Sequence, residues 1–347
     1  MNNFFVRNRY FFLALIVVFV AHFTLTSKIK EFLSFEDVTS ATVILPQNKT
    51  FSMLVVGDMM LDRNVSVLMK KNGFDFPFAQ IKDVVSSFGV AVANLEGVYT
   101  DNPSVAVSQN EILRFTFDPE SLPALKESGF DVLSQANNHT NDFGIEGYNT
   151  SKQYLQSTGL VPVGDYFNRT GYFVNKKNKV ALIAFNQFAP EGKDLVLEQV
   201  KKASEEGLFV IVFPHWGEEY QRNPNRNQKA LAYEWIDNGA DMVLGSHPHV
   251  IQTLEEYKGK LIVYSLGNFI FDQYFSKETQ EGLAVSLLFN KKQVSFELMP
   301  IDSKRSVPEV METTDALLLL DALTSESSIP DEWKQLLSRR QKVTISR

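Results

Sequence analysis

Residues 51–62 read Phe-Ser-Met-Leu-Val-Val-Gly-Asp-Met-Met-Leu-Asp. A largely apolar, β-branched run ends at Val56, and a glycine and an aspartate come directly after it. A continuous apolar run closed by a turn signal marks a strand buried on both faces. The pattern recurs at 90–93, 132–134, 180–185, 209–213, 242–244 and 261–264. Between the runs, apolar residues at helical spacing predict helices at 78–88, 119–128, 145–158, 193–206 and 226–238. Strands alternating with helices predict a layered α/β fold rather than an all-β one. A late hairpin is expected from 282–289 and 293–300, turning at Asn290-Lys291-Lys292. Residues 301–347 lose the pattern apart from an apolar stretch at 316–323, and read as a C-terminal appendage to a domain at 51–300.

The composition narrows the chemistry. The 347 residues suffice for a sizeable core, and 44% hydrophobic with 22% charged residues is ordinary globular usage. A net charge of −7 matches nucleic acid poorly, since phosphate binding leans on a basic face. The absence of cysteine removes disulfides, thiolate metal sites and a cysteine nucleophile. Any metal centre must be built from histidine, carboxylate and amide groups, and the chain has five histidines.

Residues 10–26 form an uncharged apolar run, preceded by Arg7 and Arg9 and followed by Lys28 and Lys30. Its length is at the lower edge for crossing a bilayer, and no small-residue cleavage site comes after it. Residues 1–30 are therefore expected to be a cytoplasmic tail and single-pass signal anchor, with 31–50 as a linker and the rest outside the cytoplasm. A cleaved signal peptide is the alternative.

In α/β sheets, functional groups gather in loops beyond the carboxyl ends of strands. Taking the runs in order, those loops deliver Asp58, then Asn94 and Glu96, then Asn137-Asn138-His139, then His215, then His247-Pro248-His249. Four of the five histidines fall here, and the fifth is in the N-terminal run. Imidazole mixed with carboxylate suits Zn, Mn, Fe or Ni, whereas an all-oxygen set would suit Mg or Ca. Seven ligands, Asp58, Glu96, Asn94, Asn138, His215, His247 and His249, exceed the needs of one ion and suit two. Each element has a plainer reading alone: Asp58 as a helix cap, Asn94 and Glu96 as turn residues, His215 as an aromatic partner of Trp216. Their joint arrival at strand ends argues for a metal site. The run 264–269 reads most simply as a strand entering a tight turn, with Asn268 or Ser265 as alternative supports for a metal ligand.

These blocks, with Asp142 and Gly144, His215-Trp216-Gly217 and Tyr264-Ser265-Leu266-Gly267-Asn268-Phe269, resemble the capsule-synthesis CapA (PgsA-like) family, a branch of the calcineurin-like metallophosphatase superfamily. The resemblance runs from about residue 51 to residue 300 with the blocks in order. It implies a four-layer α/β/β/α sandwich with a dinuclear divalent-metal centre of Mn, Zn or Fe. It also implies a role in poly-γ-glutamate capsule synthesis or export at a bacterial membrane, with an anionic polymer and membrane polymer-synthesis subunits as partners. Under it, Asp58 opens the ligand set, Glu96 bridges, Asn138 ligates, and His139 aids the leaving group while Asp58 shares the catalytic role. The sequence departs from the superfamily by carrying Met60 at a usual histidine position and Asn94-Leu95-Glu96 in place of a Gly-Asp block. The expected activity is metal-dependent hydrolysis of a phosphoester or amide. A non-catalytic component of a polymer-export complex and a general exported phosphoesterase stand as alternatives.

Overall fold

A computed structural model describes residues 51–105, 113–169 and 172–347. The expected anchor and linker lie outside these residues. None of the described helices is long and apolar enough to cross a membrane.

The protein is mixed α/β. Its largest sheet contains β1 (Phe51–Met59), β2 (Val90–Leu95), β5 (Val132–Ser134), β6 (Val161–Val163), β13 (Asn268–Ile270), β14 (Glu281–Phe289), β15 (Gln293–Asp302), β16 (Glu309–Val310) and β17 (Val343–Ser346). A second sheet contains β7 (Phe173–Asn175), β8 (Val180–Asn186), β9 (Phe209–His215), β10 (Met242–Leu244), β11 (Leu254–Tyr257) and β12 (Lys260–Val263). A small parallel pair joins β3 (Val98–Tyr99) to β4 (Thr116–Phe117).

Side-chain alternation explains the continuous apolar runs. Met53, Val55, Val90 and Val92 pack with Phe209, Ile211, Phe213, Met242 and Val263 of the second sheet in one shared core. The intervening Leu54, Val56, Ala91 and Ala93 face the other way, against Val65, Met69, Leu125 and Leu155. On the second sheet Val210, Val212 and Val243 turn outward onto Val196, Val200, Leu231 and Trp235. Nearly every residue of such a strand is buried because each face has its own partner layer.

The helices are α1 (Arg63–Asn72), α2 (Lys82–Ser86), α3 (Leu122–Glu127), α4 (Gly144–Ser157), α5 (Lys193–Glu205), α6 (Arg226–Asp237), α7 (Thr313–Glu326) and α8 (Asp331–Leu337). The stretch expected as one helix at 78–88 is shorter, a single 3-10 turn at Phe76–Phe78 followed by α2. Helix α1 was not anticipated from sequence. Asp62 caps it by accepting from Arg63 N at 2.7 Å, and Val65 and Met69 bury its inner face.

Residues 301–347 are built into the domain rather than appended. Strand β17 pairs antiparallel with β15, Trp333 packs on Phe296, and Leu320, Leu323, Leu337, Val343 and Ile345 enter the core shared by the two sheets. The sequence signal was weak because β17 is a four-residue strand with only alternate residues buried, and Leu318 of α7 is exposed.

Strand register aligns the polar ends of neighbouring strands. Asp58 lies opposite both Asn94 and Asn268, Asn94 opposite Ser134, and Asn186 opposite His215, which bridges to Ser246. A register shift between Val55 and Asp58 passes through Gly57, where a Cβ would sit 1.9 Å from Gly267 O. Only glycine lets β1 come that close to the turn before β13.

Candidate metal centre

The strand ends bring Asp58, Asn94, Glu96, Asn138, His139, His215, His247 and His249 to one place. Two three-residue sets have ligand atoms within 4.8 Å of one another, Glu96–His247–His249 and Asp58–Glu96–His215, and Glu96 belongs to both. Asp58, Glu96, His215, His247 and His249 are all buried.

The amide orientations are set by a chain of hydrogen bonds. Asn137 Oδ1 accepts from His139 N at 3.1 Å, so its Nδ2 faces Leu95 O at 2.8 Å and Asn94 Oδ1 at 3.1 Å. Asn94 must then present Nδ2 to Asp58 Oδ1, 2.8 Å away, and to His215 Nδ1, 3.1 Å away. Asn94 thus offers a donor, not a lone pair, to the cluster. It orients Asp58 and His215 where the sequence reading expected a ligand.

The imidazoles are fixed in the same way. Asn268 Nδ2 donates to Gln273 Oε1 and Thr279 O, leaving its Oδ1 to accept from His249 Nδ1–H at 3.0 Å. That bond turns His249 Nε2 toward Glu96 Oε1, 3.7 Å away. Asn268 is therefore the support for a metal-site histidine, the alternative to a purely structural turn residue. His215 Nδ1 also lies 3.3 Å from Ser246 Oγ, whose proton is spent on Pro214 O. His247 is anchored by its backbone N, which donates to Asp58 Oδ2 at 3.0 Å. The backbone is left-handed at both His247, with φ 98°, and His249, with φ 59°. For non-glycine residues such strain persists only where the surroundings impose it, and it concentrates at functional sites.

The donor set fits a divalent cation. Asn138 Oδ1 lies 2.8 Å from His215 Nε2, which lies 3.1 Å from His247 Nδ1. Three potential ligand atoms that close match the spacing of neighbouring corners of a coordination polyhedron, about 3.0–3.4 Å for metal–ligand bonds near 2.1 Å. Glu96 Oε2 is buried without a hydrogen-bond partner, an expensive orphan unless a cation takes it. Burial, with the other imidazoles around it, holds His215 well below the ordinary imidazole value, and burial also holds His247 down to about 3. Both are therefore neutral donors at neutral pH. Burial raises Glu96, while for His249 the carboxylates of Glu96 and Asp58 outweigh burial and push it up to about 9. The Glu96–His249 pair thus holds a proton that a bound cation would displace.

His139 stands beside the cluster rather than in it. Its Nε2 is 3.9 Å from Glu96 Oε1, while Nδ1 is 2.9 Å from Asp142 Oδ2. Phe115 stacks on the ring at 4.1 Å between centroids, and its backbone N donates to the same Asp142 oxygen at 2.8 Å. Met60, at the position where the resemblance expects histidine, is no ligand. It is fully buried among apolar side chains, and its sulfur accepts from Asp62 N at 3.0 Å.

Three residues of the site escape a reading of the sequence. Asp142 belongs to a motif there but has no evident role. Asn137 is overshadowed by its neighbour Asn138. Asn186 donates to Asn137 O at 3.1 Å and Tyr166 O at 3.0 Å, holding the Asn137–Asn138 loop. It ends β8, so the strand-end rule that finds the histidines would find it too.

The sequence profile of the bacterial capsule synthesis protein PGA_cap family matches residues 52–273, a span holding every residue of this cluster. The chain belongs to that family. Among relatives of this PGA_cap protein, the capsule biosynthesis protein CapA of Bacillus anthracis is 28% identical over 318 residues, covering 83% of this chain and 76% of that one. The PGA biosynthesis protein CapA of Bacillus subtilis is 29% identical over 328 residues, covering 87% and 82%. A probable polyglutamine synthesis accessory protein of Mycobacterium tuberculosis is 27% identical over 213 residues, covering 53% and 56%.

Proposed function

We propose that this PGA_cap protein is a metal-dependent hydrolase serving capsular polyglutamate synthesis or export. It would cut a phosphoester or amide centre of an anionic polymer or its carrier, beside the subunits that make the polymer. Asp58, Glu96, Asn138, His215, His247 and His249 would hold two divalent ions of the Mn, Zn or Fe type, with Glu96 between them. Such ions supply Lewis-acid stabilisation of developing negative charge. The observation that carries the reading is the buried, partnerless Glu96 Oε2 at the junction of two ligand sets.

The chain's own groups supply the proton chemistry. Asp142 accepts from His139 Nδ1–H, so the ring is oriented and its Nε2 faces the cluster. A protonated Nε2 can give its proton to a departing oxygen or nitrogen, a contribution of about 10²–10⁴ in rate. Phe115 over the ring and Phe188, whose centroid is 4.4 Å from that of His247, exclude water from the two sides. The three cores, one between the sheets and one outside each, support reading the fold as a four-layer α/β/β/α sandwich. The run at 10–26 supports a single-pass anchor with the domain outside the cytoplasm.

Purified protein assayed for bound metal, then for cleavage of phosphoesters and of γ-glutamyl polymer, tests the reading. Two ions per chain, with both metal and turnover lost in Glu96→Gln and His247→Ala, are expected. A folded protein that takes up no divalent ion sinks it. Loss of polymer export in these variants without any turnover in the parent would make the protein a non-catalytic component.

A further inference from the structure

The metal cluster occupies the carboxyl ends of β1 and β9, and the opposite ends of these strands carry a second feature. Phe51, which begins β1, and Phe209, which begins β9, meet Phe289 at ring distances of 5.1 and 5.5 Å. Around this aromatic floor opens a cavity of about 960 Å³, lined among others by Lys177, Lys179, Lys260, Lys291 and Arg347. Two turns build its rim, Lys176–Lys179 between β7 and β8 and Asn290–Lys292 between β14 and β15. Arg347 ties them together by donating to Asn290 O at 3.1 Å and to the carbonyls of Asn178 and Lys179. Lys260 is paired with Asp241 at 2.5 Å. Lys176, Lys177, Lys179, Lys291 and Lys292 make no ion pair with any described residue. A protein of net charge −7 thus gathers unpaired cations at one end, away from the metal cluster.

The geometry points to this face as a docking surface for a bilayer rich in anionic phospholipid headgroups. Charge complementarity selects an anionic partner. The chain's path selects the bilayer over the polymer, because Phe51 lines the cavity and the fifty residues before it include the uncharged run at 10–26. The inference rests on reading that run as an anchor. With this end against the headgroups, the metal cleft faces away from the membrane, toward emerging polymer.

The full chain in lipid nanodiscs tests this, with discs of phosphatidylcholine alone compared against discs containing phosphatidylglycerol. The readout is the acylation rate of individual lysines by mass spectrometry. Lys177 and Lys291 are expected to react about fivefold more slowly in the anionic discs, the factor expected per cation near such a surface. The difference shrinks in high salt. Lys277, which precedes β14 at the metal-site end, serves as the unchanged control. The double variant Lys177→Glu/Lys291→Glu abolishes the protection at Lys179 and Lys292, with its unfolding midpoint unaltered. Equal rates in both discs for an inserted chain overturn the proposal and leave the anchor standing. Protection by soluble polyglutamate rather than by anionic lipid assigns the face to polymer and overturns it as well. A chain that does not enter discs overturns the anchor and this proposal together.

Discussion

The amide relay at the metal cluster can be inverted by one isosteric change, Asn137→Asp. The native side chain donates to Leu95 O at 2.8 Å and Asn94 Oδ1 at 3.1 Å and is fully buried. A carboxylate there keeps the bond accepted from His139 N but sets an oxygen against two acceptors. Losing two buried hydrogen bonds and leaving both acceptors unpaired costs about 3–5 kcal/mol. Asn94 can recover one bond only by rotating its amide, which turns its oxygen toward Asp58 and removes the donor shared with His215. Metal affinity is then expected to fall along with stability, by about 10–100-fold as for other supports of metal ligands. The penalty carries a pH signature. Burial beside acceptors raises the pKa of the new carboxyl in the folded state, so the cost is present at high pH and fades as the pH falls and the carboxyl becomes a donor. Urea unfolding of the parent, Asn137→Asp and Asn137→Ala at pH 8 and pH 5 measures this. A parental midpoint for Asn137→Asp at pH 8 refutes the assigned orientations, as does a penalty as independent of pH as that of the alanine variant.

Three further outcomes are expected. In turnover assays His139→Ala lowers kcat by about 10²–10⁴, and Asp142→Asn by less, with larger losses for poor leaving groups than for good ones. Gly57→Ala destabilises by about 3 kcal/mol or more in chemical unfolding, since its Cβ would lie 1.9 Å from the rigid Gly267 O. For chelator-treated protein, the contribution of His247 to stability falls between pH 7 and pH 4. The folded His247, held at about 3, stays neutral while the unfolded imidazole, near 6.5, takes up a proton, a difference of about 2 kcal/mol at pH 5. Calorimetry should find a shallower pH slope in His247→Gln.

Burial and rarity decide how much of this molecule is legible in its sequence. Strands such as β1 and β9 are readable because both of their faces are covered, leaving their central runs almost wholly apolar. The ligands are readable because four of only five histidines end such strands. Amide roles are not readable. Asn94 and Asn138 are identical in composition, and only the neighbours of each decide whether its oxygen or its nitrogen meets the cluster. Helix α1 is hidden because Asp62 reads as loop chemistry rather than as a cap, with a Met–Leu pair obscuring the helical period. The segment at 301–347 is hidden because its strand is completed by β15, a partner nearly fifty residues earlier, and no local pattern encodes that pairing.

The bond from His247 N to Asp58 joins residues 189 apart in a chain without a cysteine. A cation gripped by β1 on one side and by the ends of β9 and β10 on the other would close that loop as a crosslink does. For a loop of this length, chain-entropy reasoning puts such closure at about 5 kcal/mol against the unfolded state. The tether would be reversible, tightening when the ion is present and released when it is withdrawn. Ion availability would then govern how long the folded protein survives as well as what it can do.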